Sequence, residues 1–207
     1  MLAVFGAKRL TWVLVLVVGA VLAWSAPGVA ATETFEAVDG APDGGSAASY
    51  EGRLIDLSDS WEGAGACLVA PEQFAVAQCF DTESELEAFV TGLGDVEFVA
   101  SGPVLAAAGP PVSTASSSCS SYLKLYDGTS YTGSSLWLST RWSWINLSLY
   151  GFDQRTSSFK IGACSAYFAD FAGGGGAWYP TSGTQAYDVA STMASGWNND
   201  VSSVYIT

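Results

Sequence analysis

Two stretches decide how this chain is read: YGFDQRTSSFKIG at 150–162 and SGWNNDVSSVYIT at 195–207. They align without a gap at a shift of 45 residues. Gly151 falls on Gly196, Phe152 on Trp197, Asp153 on Asn198, Ser157 on Ser202, Ser158 on Ser203 and Ile161 on Ile206. Cys119 and Cys164 keep the same shift, as do Tyr122 and Tyr167. Self-similarity at a fixed period marks repeated folding units that bury their apolar faces against each other. Each copy opens on a strand-like segment (YLKLYD at 122–127, SAYFAD at 165–170) and passes a glycine turn into a second (SSLWLST at 134–140, GAWYP at 176–180). A longer irregular stretch follows, and a strand after the Ser-Ser pair closes the copy. Two units of four short strands predict an all-β domain at 119–207, two Greek keys packed as a β-sandwich.

Within this repeat, Tyr126-Asp-Gly-Thr-Ser-Tyr131-Thr-Gly133 resembles the aromatic-x4-aromatic-x-Gly hairpin of the βγ-crystallin family. The second copy, Tyr167 to Gly173, matches that hairpin with a loop one residue shorter. The family's calcium motif, (N/D)-(N/D)-x-x-(S/T)-S, is met in full by Asn198-Asn199-Asp200-Val201-Ser202-Ser203. Asp153-Gln154-Arg155-Thr156-Ser157-Ser158 meets it except for the glutamine. The resemblance covers 119–207 and leaves 32–118 unexplained.

That resemblance implies two calcium positions between the paired motifs. One would draw on the Arg155 carbonyl and Ser157, the other on the Asp200 carbonyl and Ser202. Gln154 and Asn199 would supply amide oxygens across the pair, Asp153 and Asn198 complete the motifs, and Asp127 and Asp170 are weaker candidates. Calcium takes six to eight hard oxygen ligands. Few carboxylates converge here, and Arg155 sets a cation beside its own site, so the expected affinity is modest, about 10⁻⁴–10⁻³ M. The competing reading is that Asp, Asn and Ser only shape Asx- and ST-turns.

Composition narrows the function. The chain has 207 residues and no histidine, which removes Ser-His-Asp and Cys-His catalysis and His-bearing zinc sites. A formal charge of −13 argues against a nucleic-acid surface. Ser157-Ser-Phe-Lys160 has S-x-x-K spacing, but in a strand rather than at the helix start that chemistry needs. No enzyme is expected.

Residues 1–31 read as a secretory signal: Lys8 and Arg9, then the apolar run Leu10–Trp24, then small residues before cleavage after Ala31. Fifteen apolar residues span about 22 Å, short of the ~30 Å hydrocarbon core, so no permanent membrane anchor is expected. Secretion makes disulfides the default for Cys67, Cys79, Cys119 and Cys164. Of three connectivities, proximity favours Cys67–Cys79 with Cys119–Cys164.

The rest divides by composition. Residues 32–53 are acidic, rich in Gly and Ala, and expected to be flexible. Residues 54–101 predict a separate small unit: strands in ACLVAP and FAVAQCF stapled by Cys67–Cys79, then a helix begun by the capping box Thr82-Glu-Ser-Glu85. Residues 102–118, rich in Gly, Pro and Ser, read as a linker. Most tryptophans read as core, with Trp137 and Trp197 named as such, while TRWSWIN (140–146) is expected as a loop and candidate contact surface.

The function expected is therefore a secreted, monomeric, non-enzymatic βγ-crystallin-type protein that binds calcium for stability. The crystallin sandwich is similar to that of bacterial secreted metalloproteinase inhibitors and killer-toxin-like proteins, which implies one alternative, a peptidase inhibitor or toxin. A module binding cell-surface glycan is another.

Overall fold

The strands form where short runs of aliphatic and aromatic residues lie between turn signals, and the structure, a computed structural model, describes residues 45–93, 119 and 121–207. Four strands come from the N-terminal part: β1 (Ala47–Tyr50), β2 (Arg53–Asp56), β3 (Ala66–Val69) and β4 (Ala77–Phe80). One helix follows, α1 (Glu83–Gly92). Its start carries the expected capping box: the Thr82 hydroxyl accepts from the Glu85 N–H, and the Glu85 carboxylate accepts from the Thr82 N–H. The C-terminal part supplies β5 (Leu123–Tyr126), β6 (Ser135–Leu138), β7 (Trp144–Asn146), β8 (Ser158–Ile161), β9 (Ala166–Ala169), β10 (Trp178–Tyr179), β11 (Val189–Ala190) and β12 (Ser203–Ile206).

Eight strands make one sheet in the order β11-β8-β5-β6-β3-β4-β1-β2, and four make a second, β10-β9-β12-β7. The repeat explains the order. β5, β6 and β8 stay in the first sheet while their third strand, β7, crosses to the second. The next copy mirrors this: β9, β10 and β12 stay in the second sheet and β11 crosses to the first. Each copy thus lends its third strand to the other, and neither can close its sheet alone. This is the expected double Greek-key sandwich.

Between the sheets lies a core built by alternation. Leu123, Leu125, Leu136, Leu138, Phe159 and Ile161 face Ile145, Phe168, Val204 and Ile206, with Phe152 and Val201 at the closing turns. The Phe159 and Phe168 rings meet at 4.7 Å, one from each sheet. At about 25 cal/mol per Å² of buried apolar surface, this layer is the main source of stability.

The N-terminal part corrects the expectation of a flexible segment and a separate unit. Residues 47–56, placed in or beside a flexible stretch, form the β1–β2 hairpin, and Ala48, Tyr50 and Ile55 are buried in the same core. β3 pairs in parallel with β6, Cys67 opposite Leu136 and Leu68 opposite Trp137, so the sheet runs unbroken from the repeat into the N-terminal strands. The described residues belong to one compact unit. Residues 45–80 have too few large side chains for a core of their own; the edge of β6 supplies hydrogen-bond partners and a core already formed.

A second apolar layer covers the opposite face of the large sheet. Leu86 of α1 packs with Ala66, Leu68, Ala70 and Trp137, and Phe74, Phe80, Phe89, Val90 and Tyr122 rim the cluster. Trp137 is buried as expected, but under the helix rather than between the sheets. Both expected disulfides form, Cys67–Cys79 across the β3–β4 pair and Cys119–Cys164 across the start of the two repeats. TRWSWIN is corrected too: its second half is strand β7, paired with β12. The expected signal at 1–31 and the linker at 102–118 lie outside the described residues. No helix among those described is long and apolar enough to cross a membrane.

Candidate functional site

The two calcium-like motifs are turns that lead into the closing strands β8 and β12, and the sandwich sets them face to face. The Gln154 N–H donates to the Val201 carbonyl at 2.9 Å, and the Asn199 N–H donates to the Thr156 carbonyl at 3.0 Å. These bonds are images of each other under the 45-residue shift. Gln154 and Asn199 both take the left-handed conformation, at φ +53° and +59°. That backbone is readily reached by Asn and costs Gln more.

Each motif's fifth-position serine is locked on both sides. The Ser157 N–H donates to the Tyr126 carbonyl in its own copy, and its carbonyl accepts from Met193 in the other. Ser202 repeats this with Ala169 and Leu147. The sixth-position serines are structural. The Ser158 hydroxyl donates to the Gly128 carbonyl and accepts from the Tyr131 N–H, while that of Ser203 donates to Phe171 and accepts from Gly174. Each pins its copy's first hairpin over the sheet.

Those partners correct the hairpin alignment. Gly128 answers to Phe171 and Tyr131 to Gly174, a shift of 43 without a gap, so the second hairpin is not the shortened Tyr167–Gly173 loop. Asp127 and Asp170 then match: the Asp127 carboxylate accepts from the Ser134 N–H at 2.8 Å, the Asp170 carboxylate from the Ala177 N–H at 2.9 Å. Gly133 and Gly176 sit at φ +77° and +76°, and a Cβ on either would overlap that carboxylate. The aromatic pair of the signature survives only in the first copy, where Tyr126 and Tyr131 meet edge to face at 5.7 Å. Strands β5 and β9 keep the same shift of 43, so Tyr167 answers to Lys124 and not to Tyr122, which corrects that pairing too; the two-residue difference from the shift of 45 at the closing turns falls between 177 and 198, where sequence comparison found no anchor.

The oxygen donors are not equivalent in the two positions. The Ser157 hydroxyl donates to the Asn199 side-chain oxygen at 2.8 Å, joining the fifth position of one motif to the second of the other. Ser157 is only 4% exposed. The Arg155 guanidinium is tied up: it pairs with Asp127 at 2.7 Å, donates to the Gly151 carbonyl at 2.7 Å, and lies over the rings of Phe152 and Trp61. This ion pair also draws Asp127 away from the ligand role considered for it. Trp61, from the N-terminal part, donates its indole N–H to the Tyr150 carbonyl and so braces the same turn. Asp153, Asn198 and Asp200 are exposed. Among the described residues no cluster of three or more acidic or cysteine side chains is placed to hold a metal. The oxygens on offer are thus neutral: hydroxyl, amide and backbone carbonyl. This set is compatible with a hard cation held weakly, and unlike a site for zinc or another soft metal.

No protein-family model matches the chain, and no characterised protein matches it by sequence. Solved structures do align with it. A βγ-crystallin from Ciona intestinalis covers 42% of this chain and 99% of its own length at 19% identity, with a TM-score of 0.37. A βγ-crystallin domain from Flavobacterium johnsoniae covers 41% and 92% at 24% identity, TM-score 0.34. The N-terminal domain of protein S covers 42% and 96% at 18% identity, TM-score 0.36. The exchanged third strands and paired closing turns define the class of fold here, a βγ-crystallin-type double Greek key.

Proposed function

We propose that the paired turns bind one calcium ion between the two copies, and that the protein is a secreted, non-enzymatic module stabilised by it. The observation that carries this reading is the Ser157–Asn199 contact, which brings a buried hydroxyl and an amide oxygen from opposite copies together at 2.8 Å. With the Arg155 carbonyl these residues would hold the ion; Ser202, Gln154 and the Asp200 carbonyl form the second, less assembled position. The ion would supply charge at a neutral oxygen cluster and tie the copies where they are joined by two backbone bonds.

Binding only to the folded state adds RT ln(1 + [Ca]/Kd), about 1 kcal/mol for a ~10⁻³–10⁻⁴ M site in millimolar calcium. In a chain of this size that is a rise in Tm of roughly 2–4 °C. Thermal melts in calcium and in chelator test it: Ser157→Ala should lose the shift, and Ser202→Ala should retain it. An unchanged Tm in the unsubstituted protein would reduce the motifs to turn-forming sequences. A shift lost only in Ser202→Ala would move the ion to the second position.

A further inference from the structure

The two closing turns have similar backbones but unlike surroundings. The loop between β2 and β3 packs on the first of them. Its Trp61 is buried and donates its indole N–H to the Tyr150 carbonyl at 2.8 Å. Its Leu57 carbonyl lies so near Gly151 that a Cβ there would stand 2.3 Å from it. Gly151 is held within its own turn as well, because its carbonyl accepts from Arg155 at 2.7 Å. The Trp61 and Phe152 rings meet at 5.7 Å, and the Arg155 guanidinium lies over both, at 5.8 Å and 5.1 Å. The loop is ordered by its own bonds: the Leu57 N–H donates to the Ser46 carbonyl, the Ser58 N–H to the Asp56 carboxylate and the Ala64 N–H to the Trp61 carbonyl.

The second turn is packed differently. Ser195 and Gly196, which answer to Tyr150 and Gly151, are exposed, and a Cβ on Gly196 would meet nothing within 4 Å. Trp197 meets Tyr179 of its own copy at 5.4 Å, and Asp200, in the place of Arg155, is exposed.

We propose that Trp61 is a positioning residue for the first calcium position, so that the N-terminal strands set the affinity of a site formed by the repeat. This inference rests on the calcium reading above. The link is Arg155. Its carbonyl is among the oxygens assigned to the ion, while its side chain is tied to Gly151, to Asp127 and to the face of Trp61. Neutral oxygens attract a cation weakly, so a site built from them gains most when its donors need no ordering on binding. The indole also has an electrostatic role. It keeps the guanidinium against the N-terminal loop, and a cation released from there would repel the incoming one.

The experiment is a calcium titration of the full chain followed by amide NMR, with amide hydrogen exchange measured separately in chelator. Trp61→Phe keeps the ring and loses the N–H; about fivefold weaker binding is expected, the equivalent of one hydrogen bond. Trp61→Leu loses both and should bind about tenfold weaker or less tightly still. In chelator, exchange should quicken at 151–156 and stay unchanged at 196–201 in both variants. Leu68→Ala lowers stability from under α1, away from the turn, and should leave the affinity unchanged. If Trp61→Leu fails to melt cooperatively, Trp61→Phe decides. Calcium binding by the unsubstituted protein that persists undiminished in the folded Trp61 variants overturns this inference and leaves the calcium reading standing. Equal quickening of both turns, or equal weakening in Leu68→Ala, also overturns it, since Trp61 would then act only through global stability. Absence of binding by the unsubstituted protein overturns the calcium reading, and this inference with it.

Discussion

The backbone N–H of Gln154 donates to the carbonyl of Val201, 47 residues further along the chain, and the Asn199–Thr156 bond returns the contact in the opposite direction. This reciprocal pair joins the two copies at the turns that hold the candidate oxygens. It also separates two roles of the motif: the second position must adopt a left-handed backbone, and its side chain must present an oxygen.

Asn199→Gly tests that separation. Glycine accepts φ +59° without strain, so the turn and its backbone bond should persist. Only the bond from Ser157 is lost, about 1 kcal/mol. The expected result is a modest fall in Tm in chelator and complete loss of the calcium shift. A full calcium shift in this variant would remove Asn199 from the site.

Thr156 is fully buried and its hydroxyl has no partner, while the equivalent residue in the second copy is Val201. An unsatisfied buried hydroxyl costs about 1–3 kcal/mol, and valine matches the shape. Thr156→Val should therefore raise stability by roughly 1 kcal/mol in denaturant titration, with the m-value unchanged. Destabilisation would mean that the hydroxyl has a hydrogen-bond partner in solution.

Because β3 continues the sheet beyond β6, the N-terminal strands and the repeat should unfold together. A single calorimetric transition is expected. Leu68→Ala, removing a fully buried side chain between α1 and the sheet, should lower that one transition by about 2–5 kcal/mol rather than split off a second. Two transitions would show that the N-terminal strands unfold independently.

Tyr50 donates to the Asp81 carboxylate at 2.7 Å, and this bond, with burial and the charge of Asp81, pushes its pKa up to about 12. An unfolded tyrosine titrates near 10. The folded value is the higher, so this contribution is intact below about pH 10 and disappears as pH climbs towards 12. Burial and the bond to Glu83 push Tyr126 upward as well. Tyr50→Phe should flatten part of the alkaline decline in stability; an identical profile would remove Tyr50 as its source.

The ungapped repeat, the capping box and the cysteine spacing made the sandwich, the helix and both disulfides legible, because each is a local pattern that a strand, a helix start or a short loop imposes. The strands at 47–56 were not legible. Their few apolar residues become strand-forming only beside β4, whose own place depends on the β3–β6 pairing. The hairpin of the second copy was misaligned for a related reason: Ala169 and Gly174 replace both aromatics of the signature, so only Asp170 and Gly176 mark its register.

Sequence alone thus determined that there are two similar units and which residues open and close them, since side-chain period and turn chemistry act over a few residues. Tertiary structure decided which donors meet. Ser157 lies against Asn199 because the third strands are exchanged and the closing turns are brought together, a juxtaposition of residues 42 apart that no local rule contains. It also decided that an acidic N-terminal segment becomes part of the large sheet, because an open strand edge and an apolar face reward pairing that the segment cannot achieve by itself.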